Sequence, residues 1–433
     1  MRKRLLLFSL FVAAATGAFA QDWDIDTYEN NGFPDGLERD GDFYWRYNDA
    51  NQTAMLVSSF RWHNHGNESV MSCCHCYSGD IVIPEKAPNG YTVTSIGKQA
   101  FESCHITSVR LPKTIRVINK LAFELCTNLK EISIPASVEY LGESCFGGSG
   151  LERVFIEDSD TPIKISSNGF NCGSVFMQIN EVLEYVYVGR DFEVETWEGD
   201  DFRRTLFYGC STLKKIEFGS KVSRLHEYEC SDCFALQKVI LNPQMTVIPA
   251  HCFDSCSSLV VVSHSPNLTD IGDGAFVNCT SLNLDLSAFT KLKRIGQGAF
   301  MQDPFSEALQ ATRVTLPASV ETVGNNAFGW WPNLTEFYSL ATVPPTCESN
   351  WGPLDDDSYK TCKLYVPEGS IEAYKAAEGW KNFYSVESGV SSVRSDGAVV
   401  IHSYNLGGQR TAGTHRGITI QRMDNGCIRK VAK

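Results

Sequence analysis

Apolar residues recur along most of this chain in one pattern, written out in full from Arg116 to Val138 as RVINKLAFELCTNLKEISIPASV. Its apolar or small positions are Ile118, Ala122, Phe123, Cys126, Leu129, Ile132 and Ile134. The segment L-x-x-[IV]-x-[ILF] alternates as a half-buried strand does. It recurs at Leu129–Ile134, Leu151–Ile156, Leu183–Val188, Leu213–Phe218 and Leu236–Leu241. The alternation fails near A-F-x-x-C, which suits a turn or a short helical piece. Proline cannot extend a β ladder, so Pro112, Pro135 and Pro317 mark where pairing stops. One such unit leaves its apolar row in water, whereas copies stacked on one another close a continuous core.

The copies are countable. The phenylalanine of A-F-x-x-C falls at Phe101, Phe123, Phe146, Phe170, Phe207, Phe253, Phe276, Phe300 and Phe328. Phe123 to Phe146 and Phe253 to Phe276 are both 23 residues, and Cys230 fills the slot midway between Phe207 and Phe253. Cys210, Cys233, Cys256 and Cys279 form a second ladder with the same period of 23. The expected fold is a β-rich solenoid of about ten or eleven coils, with one strand per coil plus turns or short helices. The period stretches to 37 residues from Phe170 to Phe207 and to 28 from Phe300 to Phe328. We place the extra residues in 192–204 and 302–310, because insertions in repeat arrays become loops on one face, often a binding face.

The flanks differ from the repeats. Residues 1–20 read as a secretory signal: Arg2, Lys3 and Arg4, an apolar run from Leu5 to Ala15, then Ala18-Phe19-Ala20 before Gln21. Residues 21–90 read as an N-terminal β cap, which covers the open edge of the first coil. Residues 91–387 are the solenoid with its C-terminal cap, where Ser370 is placed to cap a short helix that Gly379 stops. Residues 388–433 read as a small β unit of three strands, 399–404, 417–421 and 427–431. From Val390 onward it carries seven bases against two acids, Asp396 and Asp424.

Charge and composition remove some functions. The formal net charge of −13, from 51 acids and 38 bases in 433 residues, lacks the basic footprint of a nucleic-acid binder. No segment after the signal is apolar enough to span a bilayer. Catalytic motifs are not found: no G-x-S-x-G, no G-x-x-x-x-G-K, and His226-Glu227 fails H-E-x-x-H because Cys230 stands in its last place. No catalytic residue, cofactor or metal is expected. The ladder cysteines read as buried thiols that pack as small hydrophobes, although Cys230 with Cys233, or Cys252 with Cys256, lies close enough in sequence to pair. Cys73-Cys74-His75-Cys76, near His63 and His65, departs from structural-zinc spacing and reads as packing or a disulfide within the cap. Asp355-Asp356-Asp357 reads as a solvated acidic loop rather than a calcium site.

The repeat I-x-x-x-A-F-x-x-C-x-x-L-x-x-[IV]-x-[IL]-P resembles the BspA-like leucine-rich repeat family of bacterial surface proteins over about residues 79–385. The closing run Lys363–Pro367, with Glu368 to Trp380 after it, resembles the usual end of such arrays. The resemblance implies a leucine-rich-repeat solenoid, secreted or surface-displayed, used in adhesion or protein binding, with no catalytic residues. The tail Tyr404-Asn405-Leu406-Gly407-Gly408-Gln409-Arg410, then Gly417-Ile418-Thr419-Ile420, resembles C-terminal sorting-type tails of Gram-negative secreted proteins, with Cys427 and Thr419 departing from them.

Residues between the inward positions of each strand point out onto one face. Aromatics gather there at Phe155, Tyr185 and Tyr187, flanked by Arg153, Lys215 and Glu217 and beside an acidic insertion carrying Trp197; Tyr338 is a later member. Exposed Tyr and Arg are the residues that interface hot spots use, so these eight are the candidate partner-binding residues. The expected partner is a host matrix or surface protein. The alternatives are a glycan, since aromatic platforms also suit sugars, or self-association in a structural surface layer.

Overall fold

The structure is a computed structural model that describes residues 39–57, 61–65, 68–72, 77–165, 175–176, 182–194, 206–263, 265–303, 311–348, 351–390, 400–404, 418–423 and 428–432. The signal segment, Cys73 to Cys76, Phe170, Trp197 and nearly all of both expected insertions lie outside the described residues. The chain forms a β-solenoid of about eleven turns. Among the described residues no helix is long and apolar enough to cross a membrane.

Each regular coil contributes two strands, not the single strand expected. The longer one is the alternating segment. Glu131–Ile134, Arg153–Ile156, Tyr185–Val188, Lys215–Phe218, Lys238–Ile240 and Val261–Val262 pair in parallel and in register as one six-stranded sheet. The second strand is only two or three residues long, as at Val117–Ile118, Tyr140–Leu141 and Ile163–Ile165, and builds a sheet of its own. Two residues are too few for a period-2 pattern to show, which is why it escapes a reading of the sequence. At the N-terminal end an antiparallel hairpin, Phe43–Asn48 with Thr53–Val57, joins this second sheet and covers its first edge.

The A-F-x-x-C stretch makes the third side. Its backbone enters the left-handed region two residues before and after the phenylalanine, at Gln99 (55°) and Ser103 (56°), and again at His251 (52°) and Ser255 (62°). Even N–H groups bond back within the turn, as Ala100 to Gly97 and Glu102 to Gln99, and odd ones reach the next coil. Gln99, Phe101 and Ser103 therefore donate to the carbonyls of Lys120, Ala122 and Glu124 at 3.1, 2.8 and 2.7 Å. This ladder offsets the left-handed strain, which runs to roughly 1–2 kcal/mol for an L-residue. Coils also approach closely at their glycines: a Cβ on Gly272 would stand 2.5 Å from the Ala250 nitrogen.

Inside, the phenylalanines stack as a column. Phe101, Phe123, Phe146, Phe176 and Phe207 follow one another at 5.0, 5.4, 5.6 and 5.8 Å between ring centroids, with planes within 10°. The member between Phe146 and Phe207 is Phe176, not Phe170; the extra residues are thus divided between two coils. Phe192–Val194 is a paired strand, so the insertion expected at 192–204 does not include it. The column resumes as Phe253, Phe276, Phe300 and Phe328, at 5.4, 5.2 and 5.1 Å.

The cysteine ladder is a hydrogen-bond ladder as well as packing. The thiols of Cys126, Cys233, Cys256 and Cys279 donate to the carbonyls of Phe101, Phe207, Cys230 and Phe253 at 3.0 to 3.1 Å. In the last regular coil Trp331 takes the place, and its Nε1–H donates to the Phe300 carbonyl at 2.7 Å. All described cysteines are free, so neither Cys230–Cys233 nor Cys252–Cys256 is bridged. Burial raises the thiol pKa along the ladder, to about 11 at Cys104 and beyond the usual range at Cys126 and Cys279.

At the C-terminal end the acidic triplet becomes a helix start. Asp355 caps helix Asp356–Thr361, accepting from the N–H groups of Asp357 and Ser358 (both 3.1 Å) and of Trp330 (2.7 Å). Burial alone would raise its pKa; the bonds from Ser358, Trp330 and Asp357 outweigh burial and hold it low. Ser370 precedes helix Ile371–Ala376 but does not cap it with its side chain, because its hydroxyl donates to the Thr342 carbonyl at 2.8 Å. Beyond it, Val400–Tyr404, Ile418–Met423 and Ile428–Ala432 form a three-stranded antiparallel sheet, the strands expected of the tail.

Candidate functional site

The long strands set the candidate residues in two rows. Register aligns Glu131, Arg153, Tyr185, Lys215 and Lys238 in one row, and Ser133, Phe155, Tyr187, Glu217 and Ile240 in the next. Their strand neighbours Val154, Val186 and Ile216 point inward and are fully buried. Alternation thus fixes six of the expected residues, Arg153, Phe155, Tyr185, Tyr187, Lys215 and Glu217, on one outer face. Strands ~4.8 Å apart bring their side chains into contact.

The contacts order the patch. The Phe155 and Tyr185 rings meet at 5.5 Å, tilted by 59°. The Lys215 ammonium lies 5.1 Å from the Tyr185 ring centroid and is ion-paired with Glu217. The Tyr187 hydroxyl donates to Asp158 Oδ1 at 2.8 Å. Burial, then the bond to Asp158, raises the Tyr187 pKa to about 12, so this phenol stays a hydrogen-bond donor at any physiological pH. Arg153 Nε donates to Glu131 Oε2 at 2.7 Å, and Lys214 pairs with Glu184 at 2.6 Å. Exposed pairs of this kind stabilise by at most ~1 kcal/mol; their effect here is to restrict the side chains.

Two expected members are not in the patch. Trp197 lies outside the described residues. Tyr338 is corrected: it is 1% exposed, with its ring stacked on Tyr365 at 4.7 Å and the Arg313 guanidinium 4.8 Å from its centroid. Arg313 reaches diagonally from the neighbouring strand and is held by Glu336 at 2.6 Å, so the ring is sealed from both sides.

The sequence reading missed two features. Asp158, in the connector after Arg153–Ile156, anchors Tyr187. Toward the C-terminal coils the patch gives way to exposed apolar residues, Phe234, Val260 and Val261, at 50%, 51% and 44% exposure. Val261 follows Lys238 in the first row. For Val261 the signal was present, an apolar residue at an outward strand place.

The model of the BspA type leucine rich repeat region matches residues 75–176 and 201–304, in six copies. No curated protein matches the chain. Similar solved structures include the T. pallidum leucine rich repeat protein TpLRR, 19% identical, covering 56% of this chain and 88% of that one, with a TM-score of 0.34. The pneumococcal vaccine antigen PcpA is 13% identical, covering 82% and 98%, at 0.28. A leucine-rich repeat protein from Bacteroides ovatus is 18% identical, covering 82% and 99%, at 0.26. In motif, register and period the array matches that repeat, so residues 75–176 and 201–304 are BspA-type leucine-rich repeats.

Proposed function

We propose that this is a non-catalytic, surface-displayed interaction protein that binds a macromolecular partner, a host matrix or surface protein, through the patch of Arg153, Phe155, Tyr185, Tyr187, Lys215 and Glu217. The observation that carries the reading is the mutual restraint of Tyr185, Phe155, Lys215 and Glu217 on strands locked in register. A rigid sheet presenting restrained aromatic and charged groups loses little conformational entropy on docking. The exposed Phe234, Val260 and Val261 extend the contact with an apolar flank. Export by the N-terminal signal, and sorting or attachment by the C-terminal tail, bring this face to the outside of the cell. Adhesion is then the role of the surface.

Binding of the mature chain to a panel of matrix proteins and mucins tests this. Tyr185→Ala is expected to weaken capture of a bound protein by on the order of thirtyfold, the loss of a hot spot, with circular dichroism unchanged. Equal capture by the variant overturns the site. Tight binding of neutral sugars lost in Tyr185→Ala and Tyr187→Ala makes it a glycan platform instead, and concentration-dependent self-association with no captured ligand makes it a structural layer.

A further inference from the structure

Toward the C-terminal end of the array, away from that patch, an open cleft of about 650 Å³ lies along the corner where the long strands lead into the short ones. Its walls are connector segments of successive coils: Thr290–Lys293, Ala318–Glu321 and Ala341–Thr346, with Thr269. The size falls in the range of small-ligand sites, roughly 300–1,000 Å³. No residue is shared with the candidate protein-binding patch.

Three properties define what fits. The first is charge. Lys293 is ion-paired with Glu321 at 2.9 Å. Lys291, in contrast, bonds only to the neutral Asn267 Oδ1, at 2.8 Å, and has no acidic partner among the described residues. A cation left uncompensated in a chain of formal charge −13 favours an anionic group. The second is a set of hydroxyls. Thr290, Thr342 and Thr346 are exposed and their hydroxyls have no hydrogen-bond partner among the described residues, while Thr269 has committed its proton to the Thr246 carbonyl at 3.0 Å and presents lone pairs. The third is an apolar surface between them, from Ala341, Val343, Pro344 and Pro345, with Val343 74% exposed.

A ligand with one carboxylate, many hydroxyls and apolar C–H faces answers all three. An acidic peptide answers the first alone. The backbone offers such a peptide few donors at the strand starts: the N–H groups of Lys293, Glu321 and Thr346 already donate to the carbonyls of Thr269, Lys293 and Glu321, and the two prolines have none. We propose that this cleft is a second binding site, one that takes a short carboxylated saccharide, with the carboxylate at Lys291 and the sugar hydroxyls on the threonines.

Calorimetric titration of the mature chain with a galacturonate trisaccharide, its methyl ester and a glutamate pentapeptide tests the proposal. The trisaccharide is expected to bind, more weakly as salt rises, with the uncharged ester at least about tenfold weaker, the worth of one charged hydrogen bond. Lys291→Gln, at an exposed position, should weaken the acid by about tenfold and leave the ester unchanged, whereas Tyr187→Ala in the other patch should leave both unchanged. No binding of the trisaccharide, equal binding of the acid by Lys291→Gln, loss through Tyr187→Ala, or a pentapeptide that binds as tightly as the sugar overturns it.

Discussion

Two neighbouring stretches of the core solve the same packing problem differently. Around Phe276 and Phe300 the coil is regular: phenylalanine in the slot, alanine before it at Ala275 and Ala299, and an intact second sheet, Val247–Ile248 through Thr346–Cys347. Around Cys230 each of these features changes. The slot holds a cysteine, the residue before it is Glu229, and the facing residue of the next coil is Cys252 in place of an alanine. The second sheet also stops: it ends at Phe192–Val194 and resumes only at Val247–Ile248. Between them the Asp191 carboxylate accepts the N–H of Ser223 at 2.7 Å, where the regular coils use a backbone carbonyl. The volume lost at the slot returns in the two larger neighbours. A repeat array thus tolerates a divergent coil when the coil compensates itself and the turn ladder continues through it, as it does from Cys230 N–H to the Cys252 carbonyl at 2.8 Å. That same coil begins with Lys215–Phe218, a strand of the proposed patch.

The largest expected effect breaks the regular side. Phe276→Ala removes a fully enclosed ring stacked on both faces and should cost ~3–5 kcal/mol. Cys230→Ala, at the equivalent slot, should cost only ~1 kcal/mol, within the ordinary range of point substitutions. Urea denaturation of the mature chain measures both; similar losses would show that the column has no special role.

The second expectation sharpens the irregular side. Cys230→Phe restores the slot residue but finds its space taken by Glu229 and Cys252, and should destabilise by ~1–3 kcal/mol through overpacking. Adding Glu229→Ala and Cys252→Ala should recover most of that loss. A stable single variant, or a triple variant no better than it, refutes compensation by volume.

What the sequence makes legible follows from how far each signal repeats. The slot phenylalanines and ladder cysteines recur at 23 residues, and structure puts nearly all of them in the core. Phe170 misleads because, 24 residues after Phe146, it fits the period; the ring stack selects Phe176, 30 residues on, which has no A-F-x-x-C around it. Outward placement of Arg153 through Glu217 follows from alternation alone. Tyr338 obeys the same alternation and is nevertheless covered, because cover comes from Arg313 and Tyr365 on neighbouring coils, and no single-strand pattern contains them. The threonine-lined cleft is illegible for a related reason: its lysines and hydroxyls come from connectors of several coils that only stacking brings together.

A smaller effect separates the two roles of the cysteine ladder. Cys279→Val keeps the volume but removes the S–H that bonds the Phe253 carbonyl at 3.1 Å. That carbonyl retains the Cys256 N–H at 3.3 Å, so it is not orphaned. The loss should be about 0.5–1.5 kcal/mol, the net worth of one hydrogen bond. A neutral substitution would assign the ladder to packing alone.

The smallest effect is the pH dependence that the divergent coil carries at its His226–Glu229 pair. His226 Nδ1 lies 2.9 Å from Glu229 Oε2, and the carboxylate is almost wholly enclosed. The hydrogen bond that His226 donates to the Glu229 carboxylate raises the histidine pKa against the opposing effects of burial and Arg224, with Asp191 adding to the rise. A raised folded-state pKa stabilises fully below the unfolded value of about 6.5, and that contribution fades as pH climbs through the folded value. Stability should therefore fall on going from mildly acidic to mildly alkaline buffer. His226→Gln should flatten this slope while leaving Phe276→Ala and Cys279→Val with the same losses at either pH, since neither touches the pair. An unchanged slope in His226→Gln would place the pH response outside the divergent coil and leave that coil different from its neighbours in packing only.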